Sequence, residues 1–179
     1  MDLDIEVSRL KLHKANHLSQ QYALEDQIIH QFPKEIRNLE QREEGYTYDI
    51  QRVEASTRPN EDGFSPMEIE GTVYAEKKAA GSAILEACRA MKSPDPVSLR
   101  RYRGFAMELY FDPLSREYKI TLIGNLRHTA TLGTDLYGNI QRLDNSLESL
   151  PSRLQNTKDH LTNIRQQLEN AKAALDKPL

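Results

Sequence analysis

The feature that most constrains this chain is a heptad pattern over residues 140–175. Apolar side chains recur there at alternating steps of three and four residues: Ile140, Leu143, Leu147, Leu150, Leu154, Leu161, Ile164, Leu168, Ala171 and Leu175. Only Thr157 fills one of these positions with a polar side chain. A pattern held for about five heptads is typical of a coiled coil, whose apolar seam is buried against another helix. The fold therefore requires a second helix with a matching seam.

A matching seam lies nearer the other end of the chain. Its apolar residues are Ile29, Phe32, Ile36, Leu39, Tyr46, Ile50 and Val53, and Glu43 occupies one seam position. Residues 3–31 extend this segment as helix. Pro33 predicts a kink or a break near Phe32, because proline lacks a backbone donor and clashes with the preceding turn. We expect two helical arms, residues 1–57 and residues 140–179, that pair antiparallel.

The expected register of the arms leaves the start of the chain without a partner. If Val53 lies near Ile140, then Ile36 lies near residue 157, and residues 3–18 extend past the paired region. The apolar residues that begin this overhang are Leu3, Val7 and Leu10. An uncovered apolar stripe usually marks an interaction surface, so we expect these residues to contact a partner.

Residues 58–139, between the arms, predict a compact head. The predicted elements are a strand at 67–75 with a bulge or turn at Gly71, a helix at 75–91, a strand at 101–111, a hairpin connection at 112–117 and one or two returning strands that end near Gly133. The strand prediction rests on the alternation of apolar and polar residues. The predicted fold class is α+β: an antiparallel two-helix coiled-coil arm flanking a small β-α-β-β(-β) head.

Composition excludes several classes of protein. Cys88 is the single cysteine, so the chain has no disulfide framework and no cysteine-based zinc site. The net charge of −3 predicts no strong field on nucleic acid or membrane. No apolar run reaches the length of a membrane span, and the first residues are acidic where a signal peptide is basic. We therefore expect a cytoplasmic protein with no membrane partner.

The sequence carries no recognisable catalytic or metal-binding motif. His13 and His17 stand four residues apart on a predicted helix, but neither a third ligand nor the glutamate of the zinc-protease motif accompanies them. The glycines are scattered and form no phosphate-binding loop. We expect no enzymatic activity, no metal and no cofactor.

A basic cluster is a candidate nucleic-acid site. It comprises Arg100, Arg101 and Arg103 before the predicted strand, with Arg116, Lys119 and Arg127 near them across the hairpin. Such a cluster can contact phosphates. The alternative interpretation is an edge strand protected by charge, which sheets commonly need.

An acidic cluster in the first arm is a candidate protein-binding site. It comprises Glu40, Glu43 and Glu44, with Asp49 on the same arm. These side chains can oppose the last arm or mimic phosphates for a DNA-binding protein, and the alternative is a solvated helix face. Residues 1–57 carry 7 basic and 11 acidic side chains, whereas residues 140–179 carry 6 and 5, which slightly favours pairing of the arms.

Several strings of the sequence carry a family resemblance. They are residues 9–12 (RLKL), 14–22 (KANHLSQQY), 24–27 (LEDQ), 76–81 (EKKAAG), 101–105 (RYRGF) and 138–140 (GNI) with Arg142, Asp144, Asn145 and Leu147. Together they resemble the C-terminal region of very large SNF2-type helicase and DNA methylase polypeptides of bacterial mobile elements. The resemblance covers nearly the whole chain, but the helicase and methyltransferase motifs are absent. It implies a mobile-element origin and a place beside a DNA-processing machine.

These observations favour a non-catalytic binding module that docks on nucleic-acid machinery. The sequence leaves open whether the chain is an expressed fragment or a free-standing gene product. In the first case it is an accessory region of a helicase or DNA methylase. In the second it is a stoichiometric inhibitor of a host defence nuclease such as Cas9, similar to anti-CRISPR proteins. DNA is a further candidate ligand, and the alternative is a coiled-coil scaffold that forms a homodimer.

Overall fold

Both heptad seams are helical in the computed structural model, which describes residues 2–177. The helices are α1 (Asp2–Asp26), α2 (Phe32–Ser56), α3 (Lys77–Ala90), α4 (Leu136–Glu148) and α5 (Leu150–Leu175), and a π-helical turn (Gln27–Gln31) joins α1 to α2. The strands are β1 (Met67–Ile69), β2 (Thr72–Tyr74), β3 (Val97–Tyr102), β4 (Phe105–Asp112), β5 (Glu117–Ile123) and β6 (Arg127–Thr131). The α+β class predicted from the sequence is therefore confirmed.

The chain forms two compact units whose bounds cut through both long helical segments. We call residues 2–43 with 156–177 the helical unit and residues 44–155 the sheet unit. The sequence had suggested boundaries at residues 57 and 139 instead. The helical unit contains α1, the start of α2 and most of α5, and the sheet unit contains the remainder of α2 and all the strands.

The helical unit is an antiparallel helix pair. Leu39, Leu161 and Ile164 form its buried cluster, and Phe32 and Ile36 pack against them. Ion pairs flank the cluster on both sides, Glu35 with His160 and Glu40 with Arg165, each at 3.6 Å. Side chains that flank a heptad seam are those that form interhelical ion pairs. Each pair connects the equivalent flanking position of one seam with that of the other, which is the arrangement expected of antiparallel helices.

The register differs from the predicted one by a heptad. Ile36 packs near Leu161 and Ile164 rather than near residue 157, as the sequence had suggested. A heptad pattern permits a slip of seven residues, because every seam position then still meets another seam position. In the observed register the two polar seam residues, Glu43 and Thr157, fall in one layer. The predicted register would have placed Thr157 against Ile36, so polar matching favours the observed one.

The helix continues through Pro33 instead of breaking. The π-helical turn immediately precedes it, with the Phe32 N–H donating to the carbonyl of Gln27. In a π-helical turn each N–H donates to the carbonyl five residues earlier instead of four. This change of hydrogen-bond partners accommodates Pro33, which has no N–H to donate. The turn also adds one residue to the seam, so that Ile28 is half-buried whereas Ile29, assigned to the seam from the sequence, is 62% exposed.

The sheet has six strands in the order β2-β1-β3-β4-β5-β6, and all neighbours are antiparallel. The prediction of one strand over residues 101–111 is wrong, because Arg103 and Gly104 form a tight turn between β3 and β4. Both residues have positive φ, 47° and 86°. A turn of this kind matches the twist of a β-hairpin. Gly71 likewise lies in a turn, between β1 and β2, which was one of its two predicted roles.

One face of the sheet carries the core of the sheet unit. Its largest buried side chains are Phe64, Met67, Ile84, Leu99, Tyr102, Phe105, Met107, Leu109, Ile120, Leu122, Ile140 and Leu143. One end of each predicted seam belongs to this core and not to the helix pair: Ile140, Leu143, Leu147 and Leu150 are buried in it, and Tyr46, Ile50 and Val53 pack against it. The expected coiled coil over the whole of residues 140–175 and 29–53 is therefore wrong at these ends, where the apolar spacing serves packing on the sheet. Gly45 allows this packing, since a Cβ at that position would lie 2.6 Å from Leu126.

Candidate partner-binding sites

The Asp49 carboxylate is a fully buried polar group of the sheet unit. It accepts hydrogen bonds from the backbone N–H groups of Asn125 (2.7 Å) and Leu126 (3.0 Å), and it contacts Nε2 of His128 at 2.7 Å. Asp49 is 0% exposed and His128 2%. A carboxylate and a ring without access to solvent cannot serve a substrate, so this pair holds the β5–β6 turn against α2.

A second polar cluster contains Arg103, one of the predicted basic residues. The Arg103 guanidinium donates to Asp144 in α4 at 3.1 Å and to the hydroxyl of Thr57 at 3.0 Å. The Tyr102 hydroxyl donates to the same carboxylate. Burial raises the pKa of Tyr102 above its usual range, and the hydrogen bond to Asp144 adds to this shift. Arg103 therefore fastens the β3–β4 turn to α4.

The other predicted basic residues lie among carboxylates. Lys119 pairs with Asp112 at 3.0 Å, and Arg127 pairs with Glu108 at 3.6 Å. Arg116 lies in the exposed β4–β5 turn. Arg100 and Arg101 are exposed on β3, where Arg101 is opposite Glu68 of β1. Because β3 lies inside the sheet, between β1 and β4, the alternative interpretation of an edge strand protected by charge is wrong for Arg100 and Arg101, while phosphate binding by these residues stays a prediction.

The predicted acidic residues do not share one environment. Glu40 pairs with Arg165. Glu43 is half-buried in a seam position, and Glu44 is exposed. Their expected role in binding a partner stays a prediction, but Glu40 already has a partner within the helical unit.

The N-terminal overhang of α1 is exposed along its whole length. No residue from 2 to 16 is even half-buried. Its predicted stripe is solvent-accessible, with Leu3 75%, Val7 44% and Leu10 61% exposed. Farther along α1, the half-buried residues are His17, Gln21 and Leu24. The overhang thus presents exposed apolar side chains.

A polar groove runs beside the last strand of the sheet unit. It has a volume of about 660 Å³ and lies between β6 and the flank of α4 and the start of α5. The helix side contributes Arg142, Asn145, Ser149 and Arg153, and the strand side contributes Thr129 and Thr131. Sequence reasoning missed this site. The signal was the recurrence of polar side chains at steps of three and four on one helix flank.

Three further observations limit the chemistry of the described residues. Among residues 2–177, no group of three or more His, Cys, Asp and Glu side chains is placed to hold a metal ion, and His13 and His17 belong to no such group. Burial raises the pKa of the Cys88 thiol to about 11, which disfavours the reactive thiolate. In this same part of the chain no helix is both long and apolar enough to cross a membrane.

The chain was compared with family models, with curated proteins and with solved structures. None of the three comparisons returns a match.

Proposed function

We propose that this protein is a non-catalytic binding module that docks on nucleic-acid machinery of mobile-element origin through the overhang of α1. The observation that carries this proposal is the exposure of Leu3, Val7 and Leu10 on one side of a helix in which no residue is fully buried. The resemblance to helicase and DNA methylase polypeptides supplies the class of partner.

The exposed stripe is continuous with the covered face of the same helix. From the half-buried Leu24, steps of three and four lead back through Gln21 and His17 to Lys14 and then to Leu10, Val7 and Leu3. The overhang therefore presents the same seam that the rest of the helix already uses. A helix from a partner protein is the ligand that fits such a seam.

An unpaired helix of this length also needs a partner to be stable. Residues 2–16 span about four turns, and isolated helices of about 12–15 residues are marginal in water. Asp2 and Asp4 support the first turn through the helix dipole, but this contributes only about 0.3–1 kcal/mol each. Binding of a second helix along the stripe would stabilise the overhang.

The proposal has two versions that differ in the partner. An accessory region would bind the helicase or DNA methylase polypeptide itself. A free-standing protein would bind a host defence nuclease of the Cas9 type in the bacterial cytoplasm and block it stoichiometrically. A scaffold that binds a second copy of this chain is the alternative, and the test below includes it.

The experiment measures binding of the protein to Cas9 loaded with guide RNA, to the helicase–methylase polypeptide, to duplex DNA and to itself. The test variant is Leu3→Glu with Val7→Glu and Leu10→Glu. The matched control is Ile5→Glu with Leu12→Glu, which changes exposed apolar residues on the other side of the same helix. We expect binding to one protein partner that the test variant loses and the control keeps.

Three results would contradict the proposal. Equal binding by both variants would show that the stripe is not the contact. Self-association without any other binding would favour the homodimeric scaffold. Inhibition of the nuclease far below one copy per enzyme would reveal an enzymatic activity. Binding to DNA that Arg100→Ala with Arg101→Ala abolishes would instead support the basic cluster.

A further inference from the structure

We propose a second interaction site, independent of the α1 overhang: the groove beside β6 binds an extended acidic peptide segment of a partner protein, which adds to the sheet as a seventh strand. The sheet offers a free edge there, since β6 is the last strand in the order. Addition of a strand to such an edge is a common mode of peptide recognition.

The backbone of β6 presents hydrogen-bonding groups to the groove. The Leu132 N–H donates to the carbonyl of Tyr118 in β5 at 2.8 Å. In an antiparallel pair the residues alternate between facing the neighbour and facing away. Leu132, Ala130 and His128 therefore direct their N–H and C=O groups to β5, and Thr129 and Thr131 direct theirs to the outer edge. There the Thr131 carbonyl accepts a 3.4 Å hydrogen bond from Nη1 of Arg142, which an added strand would replace as a carboxylate of the peptide takes up the guanidinium.

The opposite wall of the groove selects the charge of the peptide. Arg142 and Arg153 lie at its two ends with Asn145 and Ser149 between them, and Glu117 is the one acidic residue that contributes to the lining. Both arginines are exposed. Side chains of a bound strand that point to this wall meet cations and neutral donors, so carboxylates at alternate positions complement it.

The helix wall of the groove and a short bound strand have similar lengths. Arg142 and Arg153 are eleven residues apart on nearly continuous helix, since the intervening Ser149 keeps helical angles. At 1.5 Å per residue this is about 16 Å. An extended strand covers the same length with about five residues at 3.3 Å each. A segment of this length with acidic residues at alternate positions would therefore lie along the wall between both arginines.

The experiment is a selection of random octapeptides displayed on phage against the whole protein. We expect the selected peptides to contain aspartate or glutamate at alternate positions and to lack proline at their centres. A synthetic copy of the most enriched peptide should shift the amide resonances of Thr129 and Thr131. The same selection on Arg142→Glu with Arg153→Glu should not recover these peptides.

Two variants separate the backbone contribution from the charge contribution. Thr131→Pro removes an outward N–H at the end of the edge strand, where proline is tolerated. Arg142→Glu reverses one charge. Each should weaken binding of the enriched peptide roughly tenfold or more, while the circular dichroism spectrum shows that the variant is still folded.

The control is Arg89→Glu, because this exposed arginine lies on α3 outside the groove. It should leave the affinity of the enriched peptide unchanged. A selection that enriches no peptide, or enriches basic or apolar peptides, would overturn the inference. So would retention of binding by Thr131→Pro, because the peptide would then be held by charge alone and not as a strand.

Discussion

The carboxylate of Asp49 in α2 and the ring of His128 in β6 lie 2.7 Å apart, and both side chains are buried. The two residues are 79 positions apart in the chain. Tyr46 stacks on the His128 ring and Phe105 meets it edge-on. The same carboxylate holds the turn that follows β5. This contact therefore joins a helix, a turn and a strand within the sheet unit.

Asp49→Ala should destabilise the protein by about 3–5 kcal/mol, because it leaves two backbone donors and a buried ring nitrogen without their acceptor. The free energy of unfolding in urea, followed by circular dichroism, measures the loss. Asp95→Ala, in an exposed loop, is the control and should change it little. A loss below about 1 kcal/mol for Asp49→Ala would mean that water replaces the carboxylate.

Gly45→Ala should destabilise the wild type even though alanine favours a helix by about 1 kcal/mol. The added methyl group would lie 2.6 Å from Leu126, and crowding of this kind costs about 1–3 kcal/mol. In a Leu126→Ala background the contact is gone, so the same change should stabilise the protein. A double-mutant cycle measures this reversal of sign, and purely additive effects would rule out the contact.

Leu161→Asp should cost several kcal/mol, because Leu161 is 3% exposed in the antiparallel helix pair and an aspartate there would be an unpaired buried charge. Gln167→Asp makes the same replacement at an exposed position of α5 and is the control. Thermal melting of both variants provides the measurement. Equal melting temperatures would contradict the assignment of Leu161 to the seam.

Deletion of Ile29 should destabilise the helical unit by about 3 kcal/mol. The deletion removes the extra residue of the π-helical turn and restores the regular heptad steps, but it places Pro33 in an ordinary α-helix. Adding Pro33→Ala to the deletion should recover most of the loss. Urea unfolding of the single and double variants tests this. If the deletion with Pro33→Ala is as unstable as the deletion alone, the π-helical turn does not serve to accommodate Pro33.

The Asp112–Lys119 pair should make stability depend on pH in acid. The hydrogen bond from Lys119, with that from the Leu114 N–H, lowers the pKa of Asp112 from 3.8 to about 2. A carboxyl group with a lowered folded-state pKa contributes stability above its unfolded pKa and loses it as the pH falls. The difference in unfolding free energy between wild type and Asp112→Asn should therefore shrink between pH 4 and pH 2. A difference that stays constant over this range would contradict the pairing.

The local pattern of residues predicted the helices and strands whose apolar residues recur at a regular spacing. The heptad steps predicted the antiparallel helix pair where α2 meets α5, although the seam residues at 140–150 and 46–53 belong to the sheet unit, and alternation predicted most of the strands. Turn residues identified by composition, such as Gly71, also lie where the pattern placed them. These features depend on the preferences of neighbouring residues, which the sequence displays directly.

Tertiary structure alone decided the relationships between distant residues. The heptad pattern is unchanged by a shift of seven, so only the pairing of the helices selects the layer that contains Glu43 and Thr157. Gly45, which costs stability in an isolated helix, allows the approach of Leu126. Asp49 reads as one more surface carboxylate in the sequence, yet the folded sheet unit buries it against His128. Burial and register arise from contacts across the chain, and for that reason no local pattern contains them.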